Sequence, residues 1–168
     1  SRFVGSFVER VRKWEKTLNT VSECLDIWFV VQRKWMYLEG IFIGAEDIRM
    51  QLPEEAKRFD SIDKAFKTVM ITTNKNPNVV DACTSDNRLH TLNDLSSKLD
   101  SCQKSLSDYL DTKRNAFPRF FFVSDDELLS VLGNSDPTSI QVHLLKLFDN
   151  VKEMGFGRNN KVIESMSS

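Results

Sequence analysis

The chain has 168 residues, of which 40% are apolar and 28% charged; 23 Lys plus Arg stand against 24 Asp plus Glu, for a formal net charge of −1. That balance is too apolar for a disordered chain and supplies no global basic field, so nucleic acid is not expected as a partner. The longest unbroken apolar run, Ile27 to Val31, is five residues, against roughly 20 for a spanning helix, so no membrane partner is expected either.

No basic-then-apolar leader is visible at the start of the sequence, and a secretory signal is not expected. Cys24, Cys83 and Cys102 are three and widely spaced. An odd count without close pairs argues against a disulfide framework or a zinc site and suggests a reducing compartment. With only 6 Gly and 4 Pro, long helices are expected more than many short strands.

Chain order bears this out as a pattern. Phe7, Val11, Trp14, Leu18, Val21, Leu25 and Trp28, then Trp35, Leu38 and Phe42, form a heptad seam in steps of four and three, interrupted at Gln32. Ser6 with Glu9 reads as a capping box at its start, and Gly40 and Gly44 mark its end. A helix of this length would run about 50 Å. Phe29 and Tyr37 lie off the seam, so this helix either has neighbours on two sides or keeps one face for a partner outside the sequence.

A short helix is expected near 45–52. Pro53 opens the next, with Glu54 and Glu55 in the first turn and a stripe of Phe59, Ile62, Phe66, Val69 and Met70. Asn74 to Asn78 reads as a loop, followed by a short helix near 79–83. A second long helix, about 87–116, carries Leu89, Leu92, Leu95, Leu99, Cys102, Leu106, Tyr109 and Leu110 until Phe117-Pro118 stops it. Residues 118–123 favour a strand, giving one short strand or hairpin. Ser124 with Glu127 is a second capping box, for a helix through Leu132 that Gly133 ends. Ser135 or Asp136 caps a last helix with Pro137 in its first turn and a face of Ile140, Leu144, Leu147, Phe148 and Val151. Residues 155–168 show no period. The fold class is mainly α: an elongated antiparallel bundle of long helices with smaller ones at one end.

Chemistry leaves little trace. His90 and His143 sit in no metal-ligand pattern, and no phosphate-binding G-x-x-x-x-G-K-[ST] occurs. Cys24 and Cys102 read as core residues, and the acidic clusters at 54–55 and 125–127 as helix starts. No catalytic, cofactor-binding or metal residue is assigned. The out-of-place stretch is 113–122, where basic and aromatic residues interleave. It is either a helix end followed by a buried strand or a contact surface for another protein segment, with Lys113, Arg114, Arg119 and Phe120 as the candidate contact residues.

Two blocks carry a resemblance. Trp28-x-x-x-Gln32-x-x-Trp35-x-x-Leu38-Glu39-x-Ile41-Phe42 with Asp47-Ile48 and Leu52-Pro53 is the first. The second is Tyr109-Leu110-x-x-Lys113-Arg114-x-x-Phe117-Pro118-Arg119-Phe120-Phe121-Phe122, continued by 124–129, Asp136-Pro137, Gln141, His143-Leu144 and Phe148. Together they resemble the linker region of dynein heavy chains over roughly residues 7–168, and the later block looks more like the axonemal type. The resemblance implies a single linker fragment cut at both ends: a non-catalytic lever that bends and straightens over a ring of ATPase modules. It implies no cofactor in this segment, and ATP with Mg in a full-length chain acting as a microtubule-dependent ATPase. It implies the ring of the same heavy chain as partner and, through the intact motor, intermediate and light chains and microtubules. The implied location is cytoplasm and cytoskeleton, in a ciliary axoneme.

The residue pattern alone leaves open a free-standing helical adaptor whose seam serves partner binding, which a tight symmetric dimer would favour, and an enzyme acting alone, which a ligand pocket would favour. Breaker placement predicts a compliant point near Gly40 to Gly44 or at the 74–77 loop. Amide hydrogen exchange is expected to be faster there than at the helix centres, and equal protection would remove the idea.

Overall fold

The computed structural model describes residues 5–44, 46–85, 87–134, 136–160 and 162–168, without the side chain of Ser6. Seven α-helices and two strands occur among them. They are α1 (Val8–Phe42), α2 (Glu46–Gln51), α3 (Pro53–Lys75), α4 (Val79–Thr84), α5 (Arg88–Ala116), α6 (Asp125–Leu132), α7 (Leu144–Leu147), β1 (Glu153–Phe156) and β2 (Ile163–Ser167). Single 3₁₀ turns cover Gly5–Phe7, Pro118–Phe122 and Pro137–His143. The chain is mainly α, as the breaker-poor sequence predicts. The expected Ser6 capping box and the Ser135 cap lie outside the described residues.

Two compact units divide the chain: Ser1–Leu38 with Lys57–Ser101, and Glu39–Ala56 with Cys102–Ser168. In the first unit the core is Cys24, Trp28, Val31 and Leu38 of α1, Phe59, Ile62, Phe66 and Val69 of α3, and Leu92, Leu95 and Leu99 of α5. The stripes on α3 and α5 are those the sequence marks, except that Met70 is exposed. On α1 the seam is covered only in part. Phe7 and Trp14 are 54% exposed and Val11 and Leu18 58%, so the first four seam positions lie open and burial begins at Cys24. Periodicity fixes which face is apolar, whereas coverage depends on whether another element reaches that turn. Phe29, off the seam, is also exposed.

Polar ties set how α1 is held. The Trp35 indole N–H donates to Asp63 Oδ1 at 3.0 Å, and its ring lies 5.3 Å from that of Phe66. The next side chain back, Lys34, donates to the buried Ser96 hydroxyl at 3.1 Å and pairs with Asp100 at 2.6 Å. Consecutive helical residues point about 100° apart, so these two engage α3 and α5 separately. Along the solvent sides of α1, α3 and α5, hydroxyls fold back onto the carbonyl four residues earlier: Thr17 to Lys13, Thr68 to Lys64, Thr72 to Thr68, Ser97 to Asn93 and Thr112 to Asp108.

In the second unit Phe42, Ile48, Cys102, Leu106, Leu110, Val123, Leu128, Leu144 and Leu147 are buried. Gly40 does not end α1; the helix runs on to Phe42 and turns at Ile43–Gly44. Gly44 is held there by a close approach: a Cβ would stand 2.6 Å from the Gly40 carbonyl oxygen. Arg49 of α2 donates to the Phe42 carbonyl at 3.2 Å and so satisfies one acceptor left over at the helix end.

The strand expected at 118–123 is not formed. Pro118 brings no N–H to a ladder, Phe120 N bonds back to Phe117 O at 3.0 Å, and the segment winds as a 3₁₀ turn. Residues 137–143, expected as regular helix, are also 3₁₀ and pass into the four-residue α7. The strands lie instead in the stretch without a readable period. β1 and β2 pair antiparallel, Glu153 with Ser167 and Met154 with Met166, with a register irregularity at Gly155/Phe156. Asn160, at φ 53° between them, takes the left-handed turn conformation that Asn tolerates. The other edge of β1 is closed by Gln141, whose amide oxygen accepts from Met154 N at 3.0 Å while its nitrogen donates to Met154 O.

Truncating Phe66, buried between α1 and α3 in the first core, creates a ring-sized void. Phe66→Ala is expected to cost about 3–5 kcal/mol in urea unfolding, while Met70→Ala, on the open face of the same helix, is expected to stay within about 0.5 kcal/mol.

Candidate functional site

The block 113–122 folds into the end of α5 and the following 3₁₀ turn. The last turn of α5 carries Lys113 and Arg114, cations that suit a helix C-terminus. Arg114 reaches past the helix end to the chain that follows. Its guanidinium donates to Phe120 O at 3.4 Å and Val123 O at 3.2 Å, and pairs with Asp125 Oδ1 at 2.7 Å. Asp111, one turn earlier, lies 3.6 Å from the same guanidinium. Arg114 is therefore a tie within the chain.

Arg119 reaches across the turn. Its Nη1 donates to Leu147 O at 2.7 Å, and the guanidinium stacks over the Phe148 ring at 4.8 Å. Phe120 is half-buried and packs edge-on against Phe117 at 4.9 Å between centroids. Lys113 lies 5.1 Å above the Tyr109 ring. Of the aromatics of the block, Phe121, 60% exposed, and Phe122, 70% exposed, meet solvent most, and Phe117 is 38% exposed. The sequence reading singled out Lys113, Arg114, Arg119 and Phe120 and did not include Phe121 or Phe122. The 3₁₀ turn presents both.

Beside the turn, Phe117, Val131, Ile140, Phe148, Met154 and Phe156 line an apolar cavity of about 330 Å³. Among the described residues of its walls, Asp136 is the one titratable group. Among the described residues no group of three or more His, Cys, Asp or Glu converges as a metal site. His90 is exposed. His143 has a buried Nδ1 with no hydrogen-bond partner among the described residues, 3.7 Å from Glu127 Oε1.

Glu127 is the hub of this end. The capping box read from the sequence is formed: Glu127 N donates to Ser124 Oγ at 3.3 Å, and Ser124 N donates to Glu127 Oε2 at 3.0 Å. Lys146 of α7 donates to the other carboxylate oxygen. The hydrogen bond from Lys146 first, and then that from the Ser124 backbone, hold the Glu127 carboxyl at about 2 against an ordinary 4.5. The arrangement presents exposed aromatics beside cations that are tied to the chain.

Comparison with known proteins identifies the class. Residues 1–168, the whole chain, match the dynein heavy chain family in its N-terminal region 2, and the chain belongs to that family. It is 60% identical over its full length to the Dynein-1-alpha heavy chain, flagellar inner arm I1 complex, of Chlamydomonas reinhardtii. It is 57% identical, again over its full length, to the Dynein axonemal heavy chain 10 of Homo sapiens. To the ciliary Dynein beta chain of Heliocidaris crassispina it is 46% identical over 96% of its length. The chain spans 4% of the length of each of these relatives.

A carboxylate whose folded-state value is depressed stabilises the fold fully above its unfolded value and loses that contribution as pH falls through the folded one. In urea unfolding, the advantage of the wild-type chain over Glu127→Gln is therefore expected to be complete above pH 4.5 and to fade on the way down to about pH 2.

Proposed function

We propose that this chain is a segment of the linker of an axonemal dynein heavy chain, a lever that transmits force and carries no catalysis of its own. The observation that carries the reading is the pair of continuous helices α1 and α5, of 35 and 29 residues, in a chain of the dynein heavy chain N-terminal region. Bending such a helix strains many packed contacts and backbone hydrogen bonds at once, which is what lets a rod carry load. In this reading ATP and Mg act in ATPase modules elsewhere in the full-length chain, and the segment responds to them by changing conformation. Its partners are the ring of the same heavy chain and, through the intact motor, intermediate and light chains and microtubules. Its place is the cytoskeleton of a ciliary axoneme, which the flagellar and ciliary names of its relatives support.

The contact surface in this reading is the 113–122 turn, with Lys113, Arg114, Arg119 and Phe120 as its residues. Arg114 contributes by holding the turn, and Arg119 and Lys113 keep charge at the surface. The free-standing adaptor remains the rival, supported by the open 7–18 stripe, whose four-three spacing also suits a coiled-coil partner.

In the intact motor, Arg119→Ala is expected to lower microtubule gliding velocity several-fold while the ATPase rate stays near wild type. Circular dichroism of the variant must remain native. Loss of folding would make Arg119 a structural residue only, and an unchanged ratio of velocity to ATPase would remove the turn from the coupling path.

A further inference from the structure

Cys24 of α1 and Cys83 of α4 lie together in the first unit. They are 0% and 2% exposed, both are free, and the two thiols are within hydrogen-bonding reach of each other. A cation stands beside them. Arg88 is itself buried, donates from Nε to the Ala82 carbonyl at 3.1 Å, next to Cys83 in sequence, and lies 5.8 Å from the Trp28 ring, one turn beyond Cys24. Two surface cavities end on Cys83. One, about 380 Å³, is lined also by Lys16, Thr20, Asn87 and Arg88; the other, about 210 Å³, by Trp28, Gln32 and Pro77. Cys24 lines neither, so a small molecule meets Cys83 first and Cys24 stands behind it.

We propose that Cys24 and Cys83 form a redox-modifiable dithiol that hydrogen peroxide closes to a disulfide, joining α1 to α4. The order of events follows from the geometry. Cys83 Sγ, the sulfur that both cavities reach, attacks one oxygen of the peroxide as its thiol proton is released. The O–O bond breaks, Cys83 becomes a sulfenic acid, and the second oxygen leaves with a proton as water. Cys24 then attacks the Cys83 sulfur. The S–O bond breaks, the S–S bond forms, and hydroxide takes the Cys24 proton to leave as a second water. The dithiol loses two electrons and two protons, and the peroxide is reduced to two waters.

Burial, above all, pushes the Cys24 thiol up to about 12, with the Cys83 thiol adding to the rise and Arg88 opposing it. That keeps Cys24 protonated until Cys83 has reacted, and conversion of Cys83 to a sulfenic acid removes the thiol that helps to hold Cys24 up. Cys102, also buried, lies in the second unit and serves as an internal control. The proposal is independent of the lever reading, since it concerns only the redox state of this pair.

The test is peptide mapping of the native heavy chain treated with hydrogen peroxide, then unfolded in acid in the presence of excess alkylating agent so that thiols cannot exchange. The expected product is a peptide pair linked through Cys24 and Cys83, about 2 Da lighter than the sum of its reduced halves and restored by dithiothreitol, with Cys102 recovered as a thiol. Cys24→Ala is expected to leave Cys83 as a sulfenic acid that dimedone captures. Recovery of Cys83 as sulfinic acid with Cys24 unlinked, or of both as free thiols after Cys102 is already oxidised, overturns the proposal. The wild-type map decides it even where the variant fails to fold.

Discussion

A tryptophan indole taken out of water needs a partner for its N–H, and an ammonium held against a packed helix needs acceptors. Both demands fall on consecutive residues of α1 and are met from different helices: Trp35 by Asp63 of α3, Lys34 by Ser96 and Asp100 of α5. Apolar stripes can slide by a turn and still bury oil against oil. These bonds cannot slide, because a one-turn shift leaves a half-buried donor without its acceptor, at a cost of about 1–3 kcal/mol. They pin the register in which the buried Trp28, Val31 and Leu38 of α1 share one core with Phe59, Ile62 and Phe66 of α3 and the leucines of α5. The placement of α4, Arg88 and the two thiols follows from that register.

The second unit solves a different problem with similar means. Its elements are short, and its order rests on side chains that stand in for absent backbone partners. Arg114 collects two carbonyls and a carboxylate where the chain leaves α5, Arg49 covers the end of α1, and Gln141 acts as a one-residue strand along β1. Charged donors to backbone acceptors are worth about 1.5–3 kcal/mol each, enough to hold turns that have little apolar surface to bury.

The long helices were legible because three signals coincide in them: a stripe, a start and a stop. Pro53 opens α3 and Phe117-Pro118 ends α5, and the same capping chemistry places Ser124 ahead of the shorter α6. Reading failed where the deciding partner is remote. Arg119-Phe-Phe-Phe-Val has strand-like residues, but no strand lies beside it and Arg114 takes its carbonyls, so a 3₁₀ turn results. Glu153–Phe156 and Ile163–Ser167 carry no alternation strong enough to announce a hairpin; Gln141, 13 residues away, and the left-handed Asn160 make it one. The candidate contact residues were visible as a basic and aromatic cluster. Their division of labour was not, since nothing local says that Arg114 faces inward while Phe121 and Phe122 face water. The seam of α1 was likewise legible as a face, with its open and covered halves decided by neighbours.

The hydroxyls that fold back along the helices have a consequence of their own. Each one gives a carbonyl a second donor, and the shared backbone bond lengthens and tilts, so helices carrying such groups curve more readily. On α3 they follow in sequence, Thr68 to Lys64, Thr72 to Thr68 and Thr73 to Val69, and α1 and α5 carry others. In a helix built this way any curvature is spread over many slightly softened bonds and is not concentrated at one kinked turn.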